Sequence, residues 1–127
     1  MPSSEYCLHT VSVSYNYITF SGEGHGTYYG PKCINPLRTI STYASGKMFC
    51  TDTEISIGFE KIRGECESDG LEFLDWQHII ANITRDDIAQ MRVIEFDEAP
   101  AGTNIIDPVR LSESFFGRVG NTLVCIS

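Results

Sequence analysis

Hydrophobic and polar residues alternate from Val11 to Phe20. Val11, Val13, Tyr15 and Tyr17 fall on one side, with Ser12, Ser14 and Asn16 on the other. That period of two predicts a half-buried strand, placed over 10–20 of an N-terminal arm spanning 1–32. The pattern then changes. Leu37, Ile40 and Ala44 recur at helical intervals behind a start signal, with Asn35 as N-cap and Pro36 at the first helical position. Gly46 supplies the stop. A second helix opens at Thr51, three residues before Glu54 at capping-box spacing. It carries Ile55, Phe59, Ile62 and Cys66 on one face until Gly70 closes it, with Gly58 and Gly64 weakening it locally.

Further on, Trp76 reads as a core anchor at the head of a short apolar helix through Ile79, Ile80 and Ala81. Asn82-Ile83-Thr84 is an N-glycosylation sequon. Thr84 equally caps a helix over 85–91, with Asp86 and Asp87 in its first turn, and the two readings are compatible. Arg92 to Phe96 is strand-like and Pro100-Ala101-Gly102 marks a loop. Pro108 opens another short segment, and Ser112 caps a last helix through Phe115, Phe116 and Val119. The sum is a mainly α fold: a small disulfide-stapled helical domain with a helical hairpin and minor strand content. Its helical segment covers 33–116, followed by a short tail over 117–127.

Composition narrows the function. A chain of 127 residues is one domain by length, small enough to benefit from cross-links. A net charge of −8 argues against nucleic-acid binding, which needs clustered Lys and Arg. The five cysteines are many for a cytosolic chain and odd in number, which in an oxidising compartment means up to two disulfides and one leftover thiol. Folding the two helices as an antiparallel hairpin brings Cys33 beside Cys66. Cys50 then sits at the turn end, about 20 Å from that bridge. Its partner is either Cys7 in the N-terminal arm or Cys125 near the C-terminus.

Other chemistry finds no footing in the spacing. The stretch Ser21 to Gly26 is glycine-rich but lacks the Lys-Ser/Thr pair of a Walker loop and the setting of a dinucleotide fingerprint, so it reads as a connector. No C-x-x-C or H-x-x-x-H pair offers zinc a foothold. Nothing local marks His9, His25 or His78 as the activator of a catalytic thiol. The acidic pairs Asp86-Asp87 and Asp97-Glu98 lack a calcium-loop frame and read as solvated surface. Catalytic, cofactor-binding and metal residues are therefore assigned to none. No apolar run approaches the roughly 18 to 20 residues of a membrane span, so direct membrane insertion is not expected. Met1 to Thr10 shows neither the basic region nor the apolar run of a signal peptide.

One family likeness can be stated from the order of landmarks. Cys33-Ile34-Asn35-Pro36-Leu37-Arg38 is followed by Tyr43-Ala44-Ser45, Cys50-Thr51-Asp52-Thr53-Glu54-Ile55 and Cys66. Asn82-Ile83-Thr84, Arg92-Val93, Pro108-Val109 and Phe115-Phe116 come after. This order resembles the extracellular N-terminal region of fungal transmembrane ferric-chelate reductases, over about two thirds of the chain. The resemblance implies disulfides, a sugar on Asn82 and a place on the extracellular face of the plasma membrane. It also implies a parent activity, reduction of extracellular ferric or cupric ions by NADPH through FAD and haem. In that reading the missing membrane portion and ferric chelates are the partners, and this segment is a structural or accessory fragment. The family's His-Pro flavin motif does not occur here, nor does a nicotinamide fingerprint. The alternative is a free-standing secreted cysteine-rich interaction protein without catalytic activity.

Overall fold

The computed structural model describes residues 6–23, 30–101 and 105–125. Its first element is a helix, α1 (Tyr6–Ser14), continued by a 3-10 turn (Tyr15–Tyr17). The strand expected over 10–20 does not form, and Phe20 alone makes a parallel bridge, to Ile105. The reason is that Val11 and Tyr15 belong to two periodic series at once. Burying them in a helical series adds Leu8 and Ile18, all four at most 1% exposed, and leaves Val13 and Tyr17 at the surface. Packing against the rest of the core thus selects the helical series.

Next come α2 (Gly30–Ile34), α3 (Pro36–Phe49) and α4 (Asp52–Ser68). The start signals act as expected: the Asn35 side chain accepts from the Leu37 N–H, and Thr51 and Glu54 form a reciprocal capping box. Gly70, at φ 74°, ends α4 in a Schellman arrangement, with Leu71 N–H donating to Cys66 O and Gly70 N–H to Glu67 O. Gly46 does not end α3, which runs on to Phe49. It is buried inside the helix because a side chain there would meet Leu8, whose Cδ1 lies 2.9 Å from the position of a Cβ. Gly58 of α4 faces the same leucine, with Leu8 Cδ2 at 2.7 Å from its would-be Cβ. The two glycines thus form the seat into which α1 presses, between the helices of the expected hairpin.

The second half holds α5 (Trp76–Ile80), α6 (Arg85–Gln90) and four short strands. Strands β1 (Arg92–Ile94) and β2 (Val109–Leu111) pair in parallel, with Ile94 opposite Leu111. The segment after Ser112 is not a helix. Ser112 caps one 3-10 turn (Glu113–Phe115), and β3 (Phe116–Val119) and β4 (Thr122–Cys125) then form an antiparallel hairpin. Gly120, at φ 63°, makes the two-residue turn with Asn121. The hairpin packs on α1: Leu123 is buried and its carbonyl accepts from Thr10 Oγ1. One apolar core joins α1, α4, Trp76, the strands and Phe115, and Trp76 stacks on Phe59 with ring centroids 4.8 Å apart.

Two disulfides staple this arrangement. Cys33 joins Cys66, the pair expected from the hairpin, and Cys7 joins Cys50, which settles the open choice. Cys125 is left as an exposed free thiol.

Candidate functional site

A groove of about 680 Å³ lies where α3, α6 and the start of β2 meet. Its apolar walls come from Ile40, Ile83, Met91, Ile105, Ile106 and Pro108, and Asp87, Gln90, Arg92 and Asp107 bring polar groups to it. The size falls within the roughly 300 to 1,000 Å³ typical of small-molecule sites. Ile106, at 71% exposed, is the most exposed large apolar side chain among the described residues.

Hydrogen bonds fix two of the segments that line the groove, β2 by buried ones and Ile105 by backbone ones. Ser41 and Ser45 of α3 are fully buried, and their hydroxyl oxygens accept from the Val109 and Leu111 N–H groups at 3.0 and 2.9 Å. Serine hydroxyls thereby satisfy the edge of β2 that β1 does not reach. The Tyr15 hydroxyl lies 2.6 Å from Val109 O and 2.7 Å from Ser41 O, its proton serving these two carbonyls, and 2.8 Å from Ser45 Oγ. Burial pushes the Tyr15 phenol far above its ordinary value, against smaller opposing effects from Ser45, Arg38 and Arg110, so it stays a neutral donor. At the far wall, Ile105 is tied to the stretch after the 3-10 turn. Ser21 N–H donates to Ile105 O at 2.7 Å and Ile105 N–H to Thr19 O at 3.0 Å.

That stretch is itself locked by an ion pair. Arg38 and Glu23 have side chains only 9% and 5% exposed, with Nη2 to Oε1 at 2.8 Å. Arg38 also donates to the Tyr15 and Ile18 carbonyls and lies over the Phe20 ring. Glu23 accepts from Phe20 N–H and Asn35 Nδ2 as well. Burial alone would raise the Glu23 carboxyl, but hydrogen bonds from Arg38, Phe20 and Asn35 and the Arg38 charge outweigh it. The net position is below the ordinary 4.5. Both oxygens of this buried carboxylate are thus met by donors, the condition under which a buried pair is tolerated.

The residues that the sequence singles out are therefore spread apart. Cys7, Cys50, Cys33 and Cys66 are consumed in bridges. The Cys125 thiol sits 3.3 Å from Ser14 Oγ and donates weakly to Thr10 O. His9 and His78 are exposed, on α1 and α5, and His25 and the glycines at 24 and 26 lie outside the described residues, as does Gly102 of the predicted loop. Among the described residues no group of three or more His, Cys, Asp or Glu is placed to hold a metal ion, and no helix is long and apolar enough to cross a membrane. Asn82 is exposed in the turn between α5 and α6, and Thr84 caps α6 in a reciprocal box with Asp87. Sequence reasoning missed Tyr15, Ser41, Ser45 and the Arg38–Glu23 pair. Their signal was present as Arg38, Ser41, Thr42 and Ser45, a stripe at helical spacing on a helix that must pack closely.

No protein-family model matches the sequence, and neither the curated proteins nor the solved structures show a significant match to it.

Proposed function

We propose that this chain is an extracytosolic, disulfide-stapled interaction domain whose binding surface is the groove between α3, α6 and β2. The observation that supports it is the way the groove is braced: buried hydrogen bonds from α3 and Tyr15 fix β2, and backbone bonds fix Ile105, so less ordering remains to be lost there when a ligand enters. Two bridges between largely buried cysteines support the compartment. With Asp87 and Asp107 set against Arg92 in the lining and a net charge of −8, the ligand class is a neutral or cationic amphipathic molecule. The test uses protein secreted to the periplasm of a bacterial host that adds no N-glycans, titrated with short alkylammonium ions while methyl NMR spectra are recorded. Shifts should concentrate on Ile83, Met91 and Ile106 and spare Ile57 and Val119, which are exposed elsewhere. Shifts spread evenly over exposed methyls, or none, would sink the reading.

A second reading is the scaffold part of a ferric-chelate reductase ectodomain. It draws on the landmarks that carry the likeness, because several of them have structural work here. The cysteines pair, Asn35, Thr51 and Thr84 cap helices, and Phe115 and Phe116 pack into the core. Such residues would give a parent reductase a rigid outer piece, with the electron transfer located elsewhere. Transcript sequencing on either side of this coding stretch tests it: apolar spans and a His-Pro flavin motif should follow downstream. A stop codon with no such segments would end this reading.

A further inference from the structure

One residue of the groove wall, Ile83, is the middle of a sugar-acceptor pattern. We propose that Asn82 bears an N-linked glycan and that its first sugars lie over the groove, so that glycosylation decides whether the site is open. The inference rests on the extracytosolic reading above and adds a control to it.

Three observations meet at this point. Asn82-Ile83-Thr84 has the acceptor pattern, and Asn82 is exposed in a turn rather than packed. The middle residue, Ile83, is itself part of the groove wall, which puts the Asn82 backbone one residue from the groove. The groove also holds Ile106, the large apolar side chain that the described fold leaves most open to water. Sugar rings and their acetamido methyls present apolar C–H surface to such side chains. Their hydroxyls are suited to the carboxylates and amide of Asp87, Asp107 and Gln90.

The chemistry needs one co-reactant, a polyprenyl-pyrophosphate-linked oligosaccharide, and a transferase of the secretory pathway. The Asn82 Nδ2 forms a bond to C1 of the first sugar, the C1–O bond breaks to release the polyprenyl pyrophosphate with its electron pair, and the proton lost from the amide passes to a base of the transferase. The folded state also sets the order of events. Thr84 Oγ1 accepts from Asp87 N–H at 3.1 Å, and Asp87 Oδ2 accepts from Thr84 N–H at 2.9 Å. Transfer therefore precedes closure of this cap, on the still-extended chain, and folding then fixes the sugar beside the groove.

Two methionines give the readout. Met91 lines the groove, and Met48 on α3 is 53% exposed and takes no part in it. The full chain is secreted from a eukaryotic host, with Asn82→Gln and Thr84→Ser variants alongside. Disulfides are mapped by non-reducing peptide analysis, the sugar by endoglycosidase shift, and sulfoxide formation under dilute peroxide is followed at both methionines. Wild type and Thr84→Ser should carry the sugar and Asn82→Gln should not. The Met91 rate relative to Met48 should rise several-fold in Asn82→Gln. Paired bridges with an unmodified Asn82 would overturn the inference while leaving the extracytosolic domain standing. A sugar that leaves the Met91 to Met48 ratio unchanged would overturn the cover. Free thiols throughout would overturn the extracytosolic reading, and the inference with it.

Discussion

Leu8 has no room to spare. Gly46 and Gly58 meet it from two helices, at positions where a β-carbon would press on its side chain. Replacing Gly58 with Ala should cost about 1 to 3 kcal/mol through overpacking, despite alanine's better helix propensity. Gly64 sits in the same helix with nothing within 4 Å of its would-be Cβ, so Gly64→Ala should instead stabilise by about 0.5 to 1 kcal/mol. Urea melts of the two variants check the opposite signs. Glu23 offers a second residue-scale expectation. Its carboxyl titrates below the ordinary 4.5 in the fold, so its contribution is complete above about that pH and drains away as pH falls through the folded value. Glu23→Gln leaves Arg38 buried without its counter-charge and should cost about 3 kcal/mol at pH 7. The gap between variant and wild type should narrow steadily in melts repeated towards pH 3.

At the scale of elements, caps and breakers were more legible than strands. Asn35, Thr51, Thr84 and Gly70 mark helix ends in the sequence because each satisfies its own backbone groups locally. The Cys33–Cys66 bridge followed from two such helices. The N-terminal helix was hidden because Val11 and Tyr15 fit both periods, and only packing against α3 and α4 decides between them. The β3–β4 hairpin was missed although Gly120-Asn121 stands between alternating residues, a turn signal in its own right. Of the groove, Ile40, Ile83, Asp87, Arg92 and Pro108 were named in the sequence, each for a local role, and nothing there brought them together. Its walls come from segments far apart along the chain, and its support from hydroxyls that look ordinary until α3 meets β2. Ser45→Ala should expose that dependence. It removes the acceptor for Leu111 N–H and a partner of Tyr15, at about 1 to 3 kcal/mol. Amide exchange should quicken at Leu111 and its neighbours in β1 and β2, more than along α4.

For the whole molecule, the bridges add to the core rather than replace it, tying α1 to the end of α3 and α2 to the end of α4. They span sequence separations of 43 and 33, worth about 4 kcal/mol each in the chain-entropy picture. Removing Cys7–Cys50 by paired serine substitutions should lower stability by about 2 to 5 kcal/mol, read as a fall in the urea midpoint. Cys125 should remain the one thiol that reacts with an alkylating reagent before denaturation. The order of the bridges matters as well as their number. Cys33 lies inside the loop closed by Cys7 and Cys50, and Cys66 lies outside it, so the two loops interlock along the sequence. A single protease cut anywhere between Cys7 and Cys66 therefore releases no piece: each half stays tied to the other until a reductant is added. In an environment rich in proteases, this domain would keep its mass on a non-reducing gel long after its chain had been nicked.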